Sequence, residues 1–274
     1  MEVFTWLEPK HHRIPMVLSV PHAGTFFPEE LRDQIHPDHL ARLDDTDWFL
    51  DRLYAFAVAM GIPMLRANYH RWVIDLNRSP DQRPLYTDGR VITGLCSTTD
   101  FLGNPIYRDG RTQVTAEEIA SRKRAYFDPY HEALRARLEA IRTQVGVVLL
   151  WDCHSIRRHV PAIDPHPFPD FILGSADGTS AAPRLIAAAL HALQVSGRET
   201  AHNFPFKGGY ITRRYGQPAT GYHALQLEMS KTNYMDDTET SYQEERAAQT
   251  AEMLQATLAQ LAASLPERSD HGHG

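Results

Sequence analysis

The stretch VVLLWDCHSIRR, from Val147 to Arg158, constrains the fold of this chain more than any other. Its apolar run, Val147 to Leu150, is too short for an ordinary helix and fits a buried strand. Asp152, Cys153, His154 and Ser155 come directly after it. In an open α/β sheet, residues so placed lie at the carboxyl edge of a strand, where ligands bind. His154 is therefore read as a metal ligand, and Asp152 as the carboxylate that orients a ligating imidazole. Cys153 is read as a packed neighbour. Successive strand residues point to opposite faces, so Cys153 and His154 do not form a nucleophile–base pair on one face.

A second strand end repeats the pattern. Met16 to Val20 (MVLSV) is a short, partly β-branched run, and Pro21 and His22 follow at once. Farther on, Asp44, Asp45 and Asp47 gather before or within the first turn of a run with helical spacing (Trp48, Leu50, Leu53, Phe56, Ala57), which Gly61 and Pro63 stop. An N-cap and the positive helix end account for one or two acids. The third is available for a cation: Asp47 is the first choice and Asp45 the next. His22, one of these acids and His154 supply two nitrogens and an oxygen, the ligand set of a catalytic zinc site with one position left open. Other divalent metals suit the same donors. Glu228 lies inside HALQLEMS, His223 to Ser230, which alternates like a strand. Strands deplete glutamate, and a buried carboxylate is costly unless paired, so Glu228 is assigned as general base and acid.

Pro63 to Ala67 and Trp72 to Leu76 read as further strands. The second of them delivers Asn77, Arg78, Ser79 and Pro80 into a loop, where the planar fork of Arg78 suits a carboxylate. Residues Asp81 to Gly110 form a long Pro/Gly/Thr-rich segment, expected to be an ordered flap. Thr115-x-x-Glu118 opens a helix that runs on to Gly146 with a break near Pro129, and His131 is assigned to packing or surface. FILG is a short strand, PRLIAAALHALQ a helix, and Tyr242 to Leu265 the final helix. Between them, FPFKGGYITRRY sets paired glycines beside Arg213 and Arg214. Residues 1–266 read as a single α/β catalytic domain and residues 267–274 as a flexible tail.

With 42% hydrophobic and 23% charged residues, 274 positions bury a substantial core. A net charge of −6 gives no bulk support to a nucleic-acid partner. No apolar run approaches the roughly 20 residues that span a bilayer, and the first residues lack the pattern of a signal peptide, so a soluble, cytoplasmic protein is expected. Two cysteines, Cys96 and Cys153, make no disulfide framework.

The segments SVPHAG, DDTDWFLDRLY, DLNRSP, WDCHS, GGYITRRYG and ALQLEMSKTNYMD, spread from about residue 17 to 236, resemble the motifs of N-formylglutamate amidohydrolases, also called N-formylglutamate deformylases. The resemblance implies a fold similar to zinc carboxypeptidases and aspartoacylase: a mixed, largely parallel central sheet with helices on both faces. It implies hydrolysis of N-formyl-L-glutamate to formate and L-glutamate, the last step of one histidine-degradation route. It also implies zinc at His22, His154 and an acid of the DDTDW segment, a catalytic Glu228, and an Asn77–Arg78 pair that grips a substrate carboxylate. One departure stands out: Thr25 occupies the place of the glutamate in the His-x-x-Glu pattern of carboxypeptidases. The implied substrate is a small dianion, so Arg78 is expected to take one carboxylate and Arg213 or Arg214 the other. The rival readings are another amidohydrolase of N-acyl amino acids, a small carboxypeptidase, and a metal- or ligand-binding protein without catalysis. Glu228 weighs against the last, because storing a metal needs no extra carboxylate.

Overall fold

A computed structural model of the chain describes residues 1–12, 14–81 and 94–265. In chain order its first half contains β1 (Phe4–Leu7), β2 (Met16–Val20), α1 (Glu29–Arg32), α2 (Pro37–Arg42), α3 (Leu50–Leu53), α4 (Ala55–Ala59), β3 (Met64–Ala67), α5 (Ala116–Arg122) and α6 (Asp128–Val145). The second half contains β4 (Val148–Ile156), β5 (Phe171–Gly174), α7 (Pro183–Val195), β6 (Thr200–His202), α8 (Tyr210–Tyr215), β7 (Tyr222–Ser230) and α9 (Glu244–Ala263). The strands form one seven-stranded sheet in the order β1-β3-β2-β4-β7-β5-β6. β1 runs antiparallel to β3 and β5 antiparallel to β7, while the other pairs are parallel. The expected mixed, largely parallel sheet is what the chain builds.

The period of two in β4 and β7 sorts their side chains onto two faces. Leu149, Trp151 and Cys153, with Leu225, Leu227 and Met229, join the core under α7 and α9. Val148, Leu150 and Ala224 face the other way, into the core that α6 covers with Tyr130, Leu134, Leu138 and Ile141. Continuing along that second face, apolar residues give way to Asp152, His154, Gln226 and Glu228, all buried. Cys153 is fully buried on the opposite face and burial raises its thiol well above the usual range, so it packs as expected and offers no nucleophile.

Three local expectations need correction. Trp72 to Leu76 is not a strand: the segment is a succession of turns, in which Val73 N donates to His70 O and Asp75 N to Leu95 O. Its apolar residues are buried all the same, Trp72 and Val73 in one cluster and Ile74 and Leu76 in another, so tertiary packing overrides their β-propensity. The helical run from Trp48 to Ala57 is two short helices, α3 and α4, because Phe49 takes a left-handed conformation (φ 62°) and Tyr54 leaves the helical region. Asp44, Asp45 and Asp47 consequently lie in a turn ahead of α3 and do not cap it. The chain also forms two edge strands, β1 and β6, that the sequence pattern did not announce. The Thr115 cap is present, its hydroxyl accepting from Glu118 N at 3.2 Å, and the break before Pro129 is one π-helical turn, Lys123–Phe127. Of the expected flap, residues 82–93 fall outside the described residues, as does the 267–274 tail. No helix among the described residues is long and apolar enough to cross a membrane.

The loop that leaves β2 with His22 lies directly on the backbone that leaves β3. Phe26 N donates to Asn68 O and His70 N to Phe26 O. A Cβ at Gly24 would stand 2.4 Å from Tyr69 O and 2.6 Å from Asn68 C, with backbone as the obstacle. Gly24→Ala is therefore expected to destabilise the fold by roughly 1–3 kcal/mol, the usual cost of overpacking, read as a lower urea midpoint at unchanged slope.

Candidate metal centre

Two strand ends and a turn converge. His22 lies two residues beyond β2, His154 lies in the last turn of pleat in β4, and Asp47 belongs to the turn ahead of α3. Each offers one ligand atom, and these atoms lie within 4.8 Å of one another, all buried. Asp47 Oδ2 is 3.2 Å from His154 Nδ1 and 3.8 Å from His22 Nδ1. Asp47 is anchored at both levels of its structure: its backbone N donates to His22 O at 3.0 Å, and its Oδ2 accepts from Ser155 N at 3.2 Å.

Each histidine has a carboxylate behind it. His22 Nε2 donates to Asp75 Oδ1 at 2.8 Å, and His154 Nε2 donates to Asp152 Oδ2 at 3.0 Å. Both imidazoles are thereby turned so that Nδ1 faces the Asp47 carboxylate, the outer-sphere arrangement typical of metal-binding histidines. The Nδ1 of His22 is buried without a hydrogen-bond partner among the described residues, which is costly unless something binds there. Two nitrogen lone pairs and a carboxylate oxygen pointed at one another have no stable arrangement without a cation or a proton between them. The donor set therefore fits a divalent ion such as zinc.

The protonation states agree. Burial and the nearby Arg71 guanidinium lower His22 to about 4, so it stays neutral at neutral pH. Burial alone would also lower His154, but Asp152 and Asp47 outweigh it and hold the ring well above its ordinary value. A proton on Nδ1 of His154 thus occupies the place that a metal would take.

Glu228 completes the group. The parallel register pairs His154 with Glu228 and Asp152 with Gln226, so all four side chains leave the sheet on one face. Burial pushes the Glu228 carboxyl up to about 8 against the pull of His154. Gln226 Nε2 donates weakly to its Oε2, at 3.4 Å.

The remaining expected residues have different places. Asp152 is where the sequence put it, with Ser19 donating to its other oxygen at 2.9 Å. Asp45 does not touch a ligand: its oxygens accept from the Trp72 indole and Phe101 N, and burial raises its carboxyl above the usual range. The Asn77 amide is engaged: Oδ1 accepts from Ile211 N at 2.8 Å, and Nδ2 lies 3.0 Å from His154 Nε2. Arg78 stands 3.9 Å from Asp75 Oδ2 and is largely buried. Arg213 and Arg214 are exposed on α8. Arg213 Nε donates to Gly208 O, and Arg214 lines a cleft with Pro80, Phe127, His131 and Tyr210.

Two further residues, Asp75 and Arg71, belong to the site. Asp75 accepts from His22, from Asn77 N and from Arg71 Nη2 (2.6 Å), and despite burial the Arg71 guanidinium, more than any other partner, holds it well below the carboxylate range. The signal was present in DLNRSP, but reading WVIDL as a strand hid the turn that aims Asp75 at His22. Arg71 is buried and its charge bears on Asp45, Asp47 and Glu228 as well.

Fold and site together define an α/β protein with a buried His-Asp-His cluster, of the kind that could hold a metal ion, at the carboxyl edge of its sheet. The family model for N-formylglutamate amidohydrolase matches residues 14–235. The chain is 40% identical over 259 residues to the N-formylglutamate deformylase of Pseudomonas putida, covering 93% of this chain and 95% of that protein. It is 42% identical over 230 residues to the enzyme of the same name from Pseudomonas aeruginosa, covering 83% and 85%. The crystal structure of N-formylglutamate amidohydrolase from Ralstonia eutropha JMP134 superposes with a TM-score of 0.81 at 27% identity, covering 97% of this chain and 99% of that one. The chain belongs to the N-formylglutamate amidohydrolase family.

Asp152 and Asp47 favour the protonated His154 ring, so a metal binding at its Nδ1 competes with a proton. Zinc binding is expected to release a proton at neutral pH, and its apparent affinity to rise about tenfold per pH unit until the ring is neutral without metal. Calorimetric titration in buffers of different ionisation enthalpy measures this directly. An affinity flat between pH 6 and about 8 would contradict it.

Proposed function

We propose that this chain is a zinc-dependent amidohydrolase that splits the formamide C–N bond of N-formyl-L-glutamate, giving formate and L-glutamate. The observation that carries the reading is the pairing of a His-Asp-His cluster with a buried glutamate one strand away, in a chain whose family relatives bear this activity in their names. His22, Asp47 and His154 would hold the ion. Zinc in such a site supplies polarisation of a carbonyl and acidification of water. Glu228 takes a proton from the attacking water and passes it to the departing amine nitrogen as the C–N bond breaks. A carboxyl pushed up toward neutrality by burial suits both halves of that transfer. Asp75 and Asp152 keep the imidazoles in the ligating tautomer. Arg71, buried beside the cluster, offsets the negative charge that develops on the formyl oxygen.

The substrate carries two carboxylates. Arg78 takes one, with Asn77 bracing the start of α8 beside it. The other falls to the α8 arginines, Arg213 before Arg214, because Arg213 is tied to the carbonyl of Gly208, whose neighbour Gly209 packs against Asn77. The reading carries with it a cytoplasmic catabolic enzyme, residues 1–266 forming one catalytic domain, at the last step of a histidine-degradation route.

A panel of N-formyl, N-acetyl and dipeptide substrates tests the reaction class, with N-formylglutamate expected to turn over best. Glu228→Gln should retain zinc and lose turnover by at least about 100-fold, the usual worth of a general base. Substantial residual activity would remove Glu228 from the mechanism. Arg78→Ala should lower kcat/KM by roughly 10- to 100-fold, the loss of a charge-assisted hydrogen bond, and unchanged kinetics would exclude Arg78 from the site.

A further inference from the structure

Lys231 is a buried lysine with no part in the chemistry above. It follows Glu228 by three residues and opens the turn Lys231–Asn233 that closes β7. It is 3% exposed, a costly position for an ammonium, and burial lowers its pKa from the ordinary value. Among the described residues, its Nζ donates one hydrogen bond, to the Asp44 carbonyl oxygen at 3.1 Å.

Asp44 is the first residue of the turn whose fourth, Asp47, belongs to the metal cluster. Each residue of this turn is gripped from outside it. Arg157 holds the Asp44 carboxylate, Trp72 and Phe101 hold Asp45, and Asp47 N is bound to His22 O. His70 grips Thr46 Oγ1 at 3.0 Å; its Nδ1 accepts from Trp72 N, so Nε2 is the donor. The grip of Lys231 differs in origin, because it ties the turn to the strand that carries Glu228. It also sets a positive charge among Asp44, Asp45 and Asp47, three carboxylates within four residues, and that charge bears on Asp45 and Asp47.

We infer that Lys231 is a positioning residue for the acidic metal ligand: its buried ammonium binds the Asp44–Asp47 turn to the end of β7 and so sets Asp47 relative to Glu228. The inference rests on the metal reading of His22, Asp47 and His154. Chelator-competition titrations with zinc on the full-length, metal-stripped chain test it, using wild type, Lys231→Met, Lys231→Gln and Asp47→Ala. Lys231→Met is expected to weaken zinc binding roughly 10- to 100-fold, as losses of outer-sphere partners do, and to lower kcat with little change in KM. Lys231→Gln keeps an N–H donor without the charge, so its zinc affinity should fall between the two, and it carries the test should the methionine variant not fold. A merely structural role would lower the metal-free melting temperature while leaving zinc affinity within about threefold of wild type, and that result overturns the inference. A wild-type chain that binds zinc no better than Asp47→Ala overturns the metal reading and, with it, this one.

Discussion

The parallel pairing of β4 with β7 is the constraint on which the site depends. Its register places His154 beside Glu228 and Asp152 beside Gln226, and alternation sends all four to one face. A slip of one residue would instead present Cys153 or Leu227 there and thrust the charged set into the core beneath α7 and α9. That register is held by the apolar halves of the same strands. Val148, Leu150 and Ala224 are clamped by α6, while Trp151, Leu225 and Leu227 are clamped from the other side. The strand segments that carry chemistry are thus continuous with the segments that carry the core.

Around this pair the protein buries an unusual density of charge. Asp47, Asp75, Asp152 and Glu228 are all buried within one neighbourhood, with Arg71 and Lys231 as buried cations. Isolated buried charges are strongly unfavourable, and here hydrogen-bonded partnerships make them tolerable: Asp75 with His22 and Arg71, Asp152 with His154 and Ser19. Among the described residues the two Nδ1 atoms facing Asp47 have no protein donor, and in the proposed site a divalent cation would resolve that conflict. The same crowding of carboxylates, Asp152 and Asp47, raises the His154 ring well above its ordinary value.

Much of the site was legible because polar residues at strand ends are locally visible. An apolar run followed by Asp-x-His, or by Pro-His, reports both the strand and its functional edge. Glu228 stood out for the same reason, as a carboxylate in a β-like run. The choice between Asp45 and Asp47 was not legible, since both precede the same helix. It was decided by an indole and a backbone amide, from Trp72 and Phe101, that draw Asp45 away. Asp75 and Arg71 were obscured by a local pattern that reads as a strand and folds as turns.

By itself the sequence determined the class of sheet, the two histidines, the glutamate and the family, because period-two burial and strand-end chemistry are encoded within a few consecutive residues. Only the tertiary structure decided which aspartate joins the histidines, which carboxylate stands behind each ring, and where Lys231 reaches. Those are meetings between segments tens to hundreds of residues apart, set by register and packing across the sheet, and no local pattern in the chain records them.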